Sequence, residues 1–241
     1  MGTKRSYGDG CAAAHALDLI GERWALLIVR ELLLGPKRFT DLRAGLKGIS
    51  ANVLSQRLTE LEAALVVTRR RQPPPAAVMA YELTAWGREL EPILLQLLHW
   101  GVRSPAFTRG SPLNTDSMVL SFRALFDPKA AAGRDACVTL VLDGQPFTAR
   151  VHAGTLDVRR AQPVAQTSAS LRTDPTTLLH LAYGAASLDA ALGEGRAALA
   201  GERRAVENFL GCFSVPRPVG AGEPGPADAA APAEPTAAQA H

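Results

Sequence analysis

Cysteine is scarce in this chain of 241 residues, with only Cys11, Cys137 and Cys212. An odd count without metal-ligand spacing excludes a disulfide framework and a cysteine zinc site, and it fits a reducing compartment. Aromatic residues make up 5%, so Leu, Val and Ala must fill the cores of a chain that is 47% hydrophobic. No run of about 18 uncharged apolar residues is available to span a bilayer, and the N-terminus has no signal-peptide apolar stretch, so a cytoplasmic location is expected. Enzyme signatures are missing as well. His15, His99, His152, His180 and His241 are scattered without metal spacing, and there is no Gly-x-Ser-x-Gly elbow, phosphate-cradling glycine loop or marked acid pair. The expectation is a non-enzyme without metal or cofactor.

What is present is organised around residues 48–71, GISANVLSQRLTELEAALVVTRRR in one-letter code. Leu54, Leu58, Leu61 and Leu65 repeat at helical spacing and define a buried stripe, while Asn52, Ser55, Gln56 and Thr59 face outward. Ser50 is a good N-cap, its hydroxyl placed to satisfy a free amide of the first turn. The outer face offers short amides and hydroxyls of the kind that read base edges. Arg57 beside it and Arg69, Arg70 and Arg71 beyond it are of the kind that hold phosphates. The alternative is an ordinary amphipathic helix followed by a solvated basic strand. The charge distribution leans toward the nucleic-acid reading: residues 1–105 carry 14 Lys and Arg against 10 Asp and Glu, and the remainder 12 against 13.

Read in order, residues 1–9 are polar and expected to be mobile, with Lys4 and Arg5 free to approach a phosphate backbone. Helices follow at 11–20 and 22–34, the second apolar all round and therefore central. Gly35-Pro36 ends it. Residues 39–46, the turn Lys47-Gly48 and residues 50–64 form a helix-turn-helix, the arrangement that places its second helix in the major groove. Strands at 66–71 and 78–83 flank QPPPAA, whose prolines cannot join a ladder and must form a hairpin tip. Thr84 caps a helix reaching Val102 with more apolar surface than one chain can cover.

Residues 11–101, with the Gly21–Trp24 element, the Gly35-Pro36 turn, Phe39, Leu42, the Ile49-Ser50 cap and Arg57, resemble the HxlR family of bacterial winged helix-turn-helix regulators, relatives of the MarR type. The resemblance implies a homodimer on double-stranded DNA, joined through the N-terminal helix and the 84–102 helix. It also implies that Arg69–Arg71 on the wing contact phosphates. Where the family usually has Gly after the recognition helix, this chain has Leu65; a left-handed backbone there costs about 1–2 kcal/mol, and otherwise the helix runs on and re-aims the wing. Some members of the family sense oxidants or electrophiles through a cysteine near the N-terminal helix. Cys11 is therefore the one candidate redox residue, set against a reading as a small buried residue on the apolar side of that helix.

The fold expected is thus two α+β domains, the first a mainly helical winged helix-turn-helix. Residues 1–103 bind DNA and dimerise, 104–116 are a Pro, Ser and Gly-rich linker, 117–213 form the second domain and 214–241 a disordered tail. The second domain reads as a helix at 116–126, strands at 136–142, 147–152, 155–160 and 166–172 with an Asp143-Gly144 hairpin turn, then helices at 175–183, 188–192 and 202–213. That order, and the glycines Gly184, Gly195 and Gly201, resemble the sterol carrier protein type 2 fold. The resemblance implies an apolar small molecule or lipid held between sheet and helices, with Leu178, Leu179, Leu188, Leu192, Phe209 and Phe213 as candidate lining residues. Three functions stay open: a regulator responding to such a ligand, a regulator whose second domain is only structural, and a lipid carrier.

Overall fold

The structure is a computed structural model and describes residues 6–73, 77–108, 111, 113–160 and 167–220. Its first domain runs α1 (Ala12–Ile20), α2 (Ala25–Leu32), α3 (Phe39–Gly45), α4 (Ala51–Ala63), β1 (Val67–Arg71), β2 (Met79–Leu83), α5 (Ala85–Arg88) and α6 (Leu90–Gly101). The apolar stripes close on one core in which Ile28, Val29, Leu32, Leu42 and Leu54 are completely buried and Leu58 and Leu61 nearly so. Strands β1 and β2 pair antiparallel from Val67 opposite Leu83 to Arg71 opposite Met79, forming the wing. Pro74, Pro75 and Ala76 of the expected tip lie outside the described residues. The expected helix at 22–34 starts late because Trp24 takes a left-handed backbone, φ 81°. The single helix expected over 84–102 is two, because Pro92 in the first turn of α6 has no N–H with which to continue the ladder from α5.

The second domain begins with α7 (Thr115–Leu125), followed by β3 (Ala136–Leu142), β4 (Gln145–His152), β5 (Thr155–Arg160), β6 (Ala169–Thr173), α8 (Pro175–Ala182), α9 (Leu188–Gly193), β7 (Ala197–Gly201) and α10 (Arg203–Leu210). The sheet order is β5-β4-β3-β6-β7, antiparallel except for the parallel pair β3-β6. Asp143-Gly144 makes the β3-β4 turn, both residues at positive φ. Along β3, Ala136, Val138, Leu140 and Leu142 alternate into the core. There they meet Phe122 and Phe209, whose rings stand edge to face at 5.1 Å, and Phe213, 4.5 Å from Phe122. Strand β7 was not expected: AALAG has no β-branched or aromatic residue, and only its pairing with β6 makes it a strand.

Segments expected to be loose are tied down. Ser6 donates from Oγ to Asp18 Oδ2 at 2.8 Å and the Tyr7 amide to Asp18 Oδ1 at 3.0 Å; Lys4 and Arg5 lie outside the described residues. Of the tail expected from 214 onward, the first part packs back. The Ser214 amide bonds the Leu125 carbonyl at 3.1 Å and the Val219 amide that of Arg103 at 2.8 Å. Residues 221–241 are outside the described residues.

The two domains meet through a buried charge cluster. Glu31 of α2, with no solvent exposure, accepts from Lys37 Nζ at 2.5 Å, Arg30 at 2.8 Å and Asn114 Nδ2 at 2.8 Å. Lys37 also pairs at 2.5 Å with Asp116 at the start of α7, and Arg160 of β5 pairs with the other Asp116 oxygen at 2.7 Å. Asn114 from the expected linker caps α7 through the Ser117 amide and donates to the Gly45 carbonyl, so this end of the connection is anchored. Gly45 leaves the room: a Cβ there would stand 2.5 Å from Glu31 Oε2. Burial opposes ionisation of Glu31, and the charges and hydrogen bonds of Lys37, Arg30 and Asn114 more than offset it, holding the carboxyl below its usual range. A second pair, Arg123 of α7 with Glu91 of α6 at 2.6 Å, ties the domains further along.

Removing one partner of such a cluster strands the others in low dielectric. Lys37→Met is expected to lower stability by about 3–5 kcal/mol in a guanidinium titration at neutral pH; a loss under about 1 kcal/mol would show the cluster to be solvated. Because the folded value of Glu31 is depressed, its contribution is complete above the ordinary carboxylate range of about 4.3 and is lost as pH falls through the folded value. The difference between wild type and Lys37→Met therefore narrows in acid.

Candidate nucleic-acid interface

Helix α4 is positioned by its ends. Ser50 Oγ accepts from the Val53 amide at 3.3 Å, the N-cap expected. At the far end the Val66 amide bonds the Leu61 carbonyl and the Leu65 amide that of Glu62, both at 3.0 Å, the paired bonds of a Schellman motif. Leu65 occupies the left-handed position, φ 58°, and is 70% exposed. The expected buried stripe thus stops at Leu61, since the reversal at Leu65 swings its side chain outward. Of the two outcomes open at this position, the strained backbone holds and the helix does not run on.

The outward face carries Asn52, Ser55, Gln56 and Thr59, all exposed. Gln56 Nε2 donates to Glu60 Oε1 at 3.0 Å and Thr59 Oγ1 to the Ser55 carbonyl at 3.1 Å, exposed bonds that leave the face accessible. Arg57 is a correction. Its side chain is only 12% exposed and is clamped between Glu60 and Glu22, the latter at 3.3 Å, so it braces α4 against the segment before α2. Its place on the helix, one residue beyond the exposed face and three before Glu60, turns it inward.

On the wing, Arg69, Arg70 and Arg71 are exposed. Strand alternation puts Arg69 and Arg71 on one side and Arg70 on the other. The Arg69 guanidinium lies 5.7 Å from the Tyr81 ring, Arg71 Nε donates to the Ala77 carbonyl at 3.3 Å, and Arg70 pairs with Glu82 at 3.4 Å. Arg43 and Lys47, exposed on α3 and in the turn before α4, were not singled out in the sequence. Their signal is position alone, because the first helix of such a motif crosses the phosphate backbone.

A family model for HxlR-like helix-turn-helix proteins matches residues 19–106. The HTH-type transcriptional regulator YybR of Bacillus subtilis is 39% identical over 93 residues, 39% of this chain and 74% of that protein. The regulator YvaP of the same organism is 40% identical over 94 residues, 38% of this chain and 87% of that one. The chain belongs to the HxlR-like helix-turn-helix family. This HxlR-like chain is a transcriptional regulator of that type. Among solved structures, the redox regulator HypR in its oxidized form is 36% identical, covering 38% of this chain and 94% of that one, at a TM-score of 0.35. Residues 112–219 match a different family model, the alkyl sulfatase C-terminal domain, in place of the sterol carrier resemblance seen in the sequence.

The six candidate ligand-lining residues of the HxlR-like protein do not surround a tunnel. Leu178 and Phe209 are completely buried, and Leu188 and Phe213 are buried in the same solid core with Leu192 packed against it. The phenylalanine cluster fills the space between sheet and helices. Leu179 lines a cavity, and that cavity lies outside the core. Cys11 is exposed rather than buried, because it is the N-cap of α1. The amides of Ala13 and Ala14 lower its thiol below the ordinary range. Among the described residues no group of His, Cys, Asp and Glu has the geometry to hold a metal, and no helix is long and apolar enough to cross a membrane.

Since Leu65 is exposed and strained, Leu65→Gly should relieve about 1–2 kcal/mol of left-handed strain against about 0.5–1 kcal/mol of added chain freedom. A net gain of about 0.5–1 kcal/mol in urea midpoint analysis is expected; a lower midpoint would mean that the leucine side chain itself holds the wing.

Proposed function

We propose that the protein binds double-stranded DNA as a homodimer in the cytoplasm. In this reading Asn52, Ser55, Gln56 and Thr59 read bases, with Ser50 holding the start of the helix. Arg69, Arg70 and Arg71, joined by Arg43 and Lys47, hold phosphates. The observation that carries it is the capped α4 with an exposed amide and hydroxyl face, flanked by unburied cations on both sides. The dimer is supported by an exposed apolar row on α6, with Ile93 51%, Leu97 46% and Trp100 72% exposed, together with Leu17 of α1 at 50%. A two-fold pair would set two α4 helices at half-sites about one helical turn apart. The second domain is taken as an effector module rather than an enzyme, answering to an apolar small molecule. A purely structural module and a lipid carrier are the competing readings, and the DNA-binding face of α4 speaks against the carrier.

Gel shifts test this. On a duplex selected from a random pool, Gln56→Ala should relax base preference by about 1–3 kcal/mol at one position, and Arg70→Ala should weaken all duplexes alike and flatten the salt dependence. Trp100→Glu should yield monomers by sedimentation and lose half-site cooperativity. If none of these changes affects binding, the assignment of this face is wrong.

A second reading is supported by the exposed, acidified Cys11 thiol: DNA binding that responds to oxidation. Diamide treatment should then change DNA affinity in wild type and not in Cys11→Ser. An equal response in both, or none in wild type, removes Cys11 from the mechanism.

A further inference from the structure

A cavity of about 880 Å³ opens between the two domains. It is lined by Leu98 of α6 and Val102 just after it, Phe107 of the connection, Leu125 of α7, Leu179 of α8 and Tyr183 just after that helix. Its volume falls in the range that encloses most of a drug-sized molecule. None of the described lining residues is Lys, Arg, Asp or Glu. Its polar lining side chains are Thr108, Ser111, Ser117, Ser121, His180 and Tyr183, so a charged group entering it meets no Lys, Arg, Asp or Glu to offset its lost hydration.

Two of these polar side chains are hydrogen-bonded to each other within the lining. The Tyr183 hydroxyl donates to Ser121 Oγ at 2.9 Å, and Ser121 donates onward to the Met118 carbonyl at 2.7 Å. Burial pushes the Tyr183 hydroxyl far above its ordinary range, so it stays neutral, its proton committed to Ser121. The Tyr183 oxygen keeps acceptor capacity that a ligand's donor can use. We infer that the interdomain cavity binds an uncharged, largely apolar small molecule that donates one hydrogen bond to Tyr183, such as an alcohol or amide on an aliphatic or ring skeleton.

The site deepens the regulatory reading above and rests on it only for its consequence. Helix α6 lies between the cavity and the exposed row of Ile93, Leu97 and Trp100. An occupant pressed against Leu98 and Val102 fixes the helix that carries the row proposed to pair the subunits. Its effect on DNA affinity equals its difference in affinity for the two arrangements, typically 5- to 150-fold.

The test uses the full chain with Nile red, an uncharged fluorescent probe, and measures displacement by 1-decanol and by decanoate. One dye per chain should bind with blue-shifted emission, decanol should displace it, and decanoate should do so at least tenfold less well. Leu98→Trp and Leu179→Trp, one on α6 and one on α8, should each abolish dye binding. Tyr183→Phe should leave dye affinity unchanged while weakening decanol roughly 3- to 10-fold, the value of one hydrogen bond. It keeps the inference falsifiable should the tryptophan variants misfold. Dye binding that survives both tryptophans, or that vanishes with Trp100→Ser, places the probe on the exposed row and overturns the site. Equal displacement by decanoate overturns the uncharged class. A 1–220 chain that binds dye where the full chain does not gives the cavity to residues 221–241 instead. Dye binding as described in a protein that shifts no duplex would refute the proposed function and leave the site standing; DNA binding without dye binding does the reverse.

Discussion

The structure depends on the neutralisation of Glu31. A carboxylate with no solvent exposure sits in the last turn of α2, the central helix of the winged domain, and it is tolerable only because Lys37, Arg30 and Asn114 surround it. Lys37 in turn needs Asp116, and Asp116 needs Arg160, so the chain of charge reaches from the first domain to β5 of the second. Geometry rather than energy is what this arrangement supplies. Glu31, Lys37 and Asp116 each have to stay within reach of two partners or more, which fixes where α7 begins and hence how the second domain is hung on the first.

From that fixed point, α6 and α7 run alongside each other, joined again by Arg123 and Glu91. Helix α6 divides its surface in two. Leu94, Leu98 and Val102 turn toward its own chain, while Ile93, Leu97 and Trp100 turn away at i, i+4 and i+7. The proposed tasks of recognition by α4, pairing by α6 and reception by the cavity would therefore fall to surfaces of domains that these ion pairs tie together.

Much of the frame was legible in the sequence because it rests on local signals. The Ser50 cap, the leucine stripe of α4, the Gly35-Pro36 stop and the alternation along β3 each follow from chemistry within a few residues. What was not legible depends on distant partners. Arg57 looks like a phosphate ligand until Glu22 is folded against it, and AALAG looks like anything but a strand until β6 lies alongside. A solid core and a lined tunnel have the same periodicity, so nothing in the spacing of Leu178, Phe209 and Phe213 showed that they are buried in the core while Leu179 lines a cavity outside it. The cavity itself needed residues from α6, the connection and α8, which nothing in their spacing joins.

The shared charge cluster also bears on how such proteins can be recombined. The match to YvaP covers 38% of this chain and 87% of that protein, so the companion domain that the winged helix carries here lies outside it. Here the companion brings Asp116 and Arg160 to a surface that must already present Glu31 and Lys37, with glycine at 45 to leave space. Transplanting either half onto a foreign neighbour would leave unpaired ions at the seam, so in evolution or in chimera construction these positions must be inherited as a set.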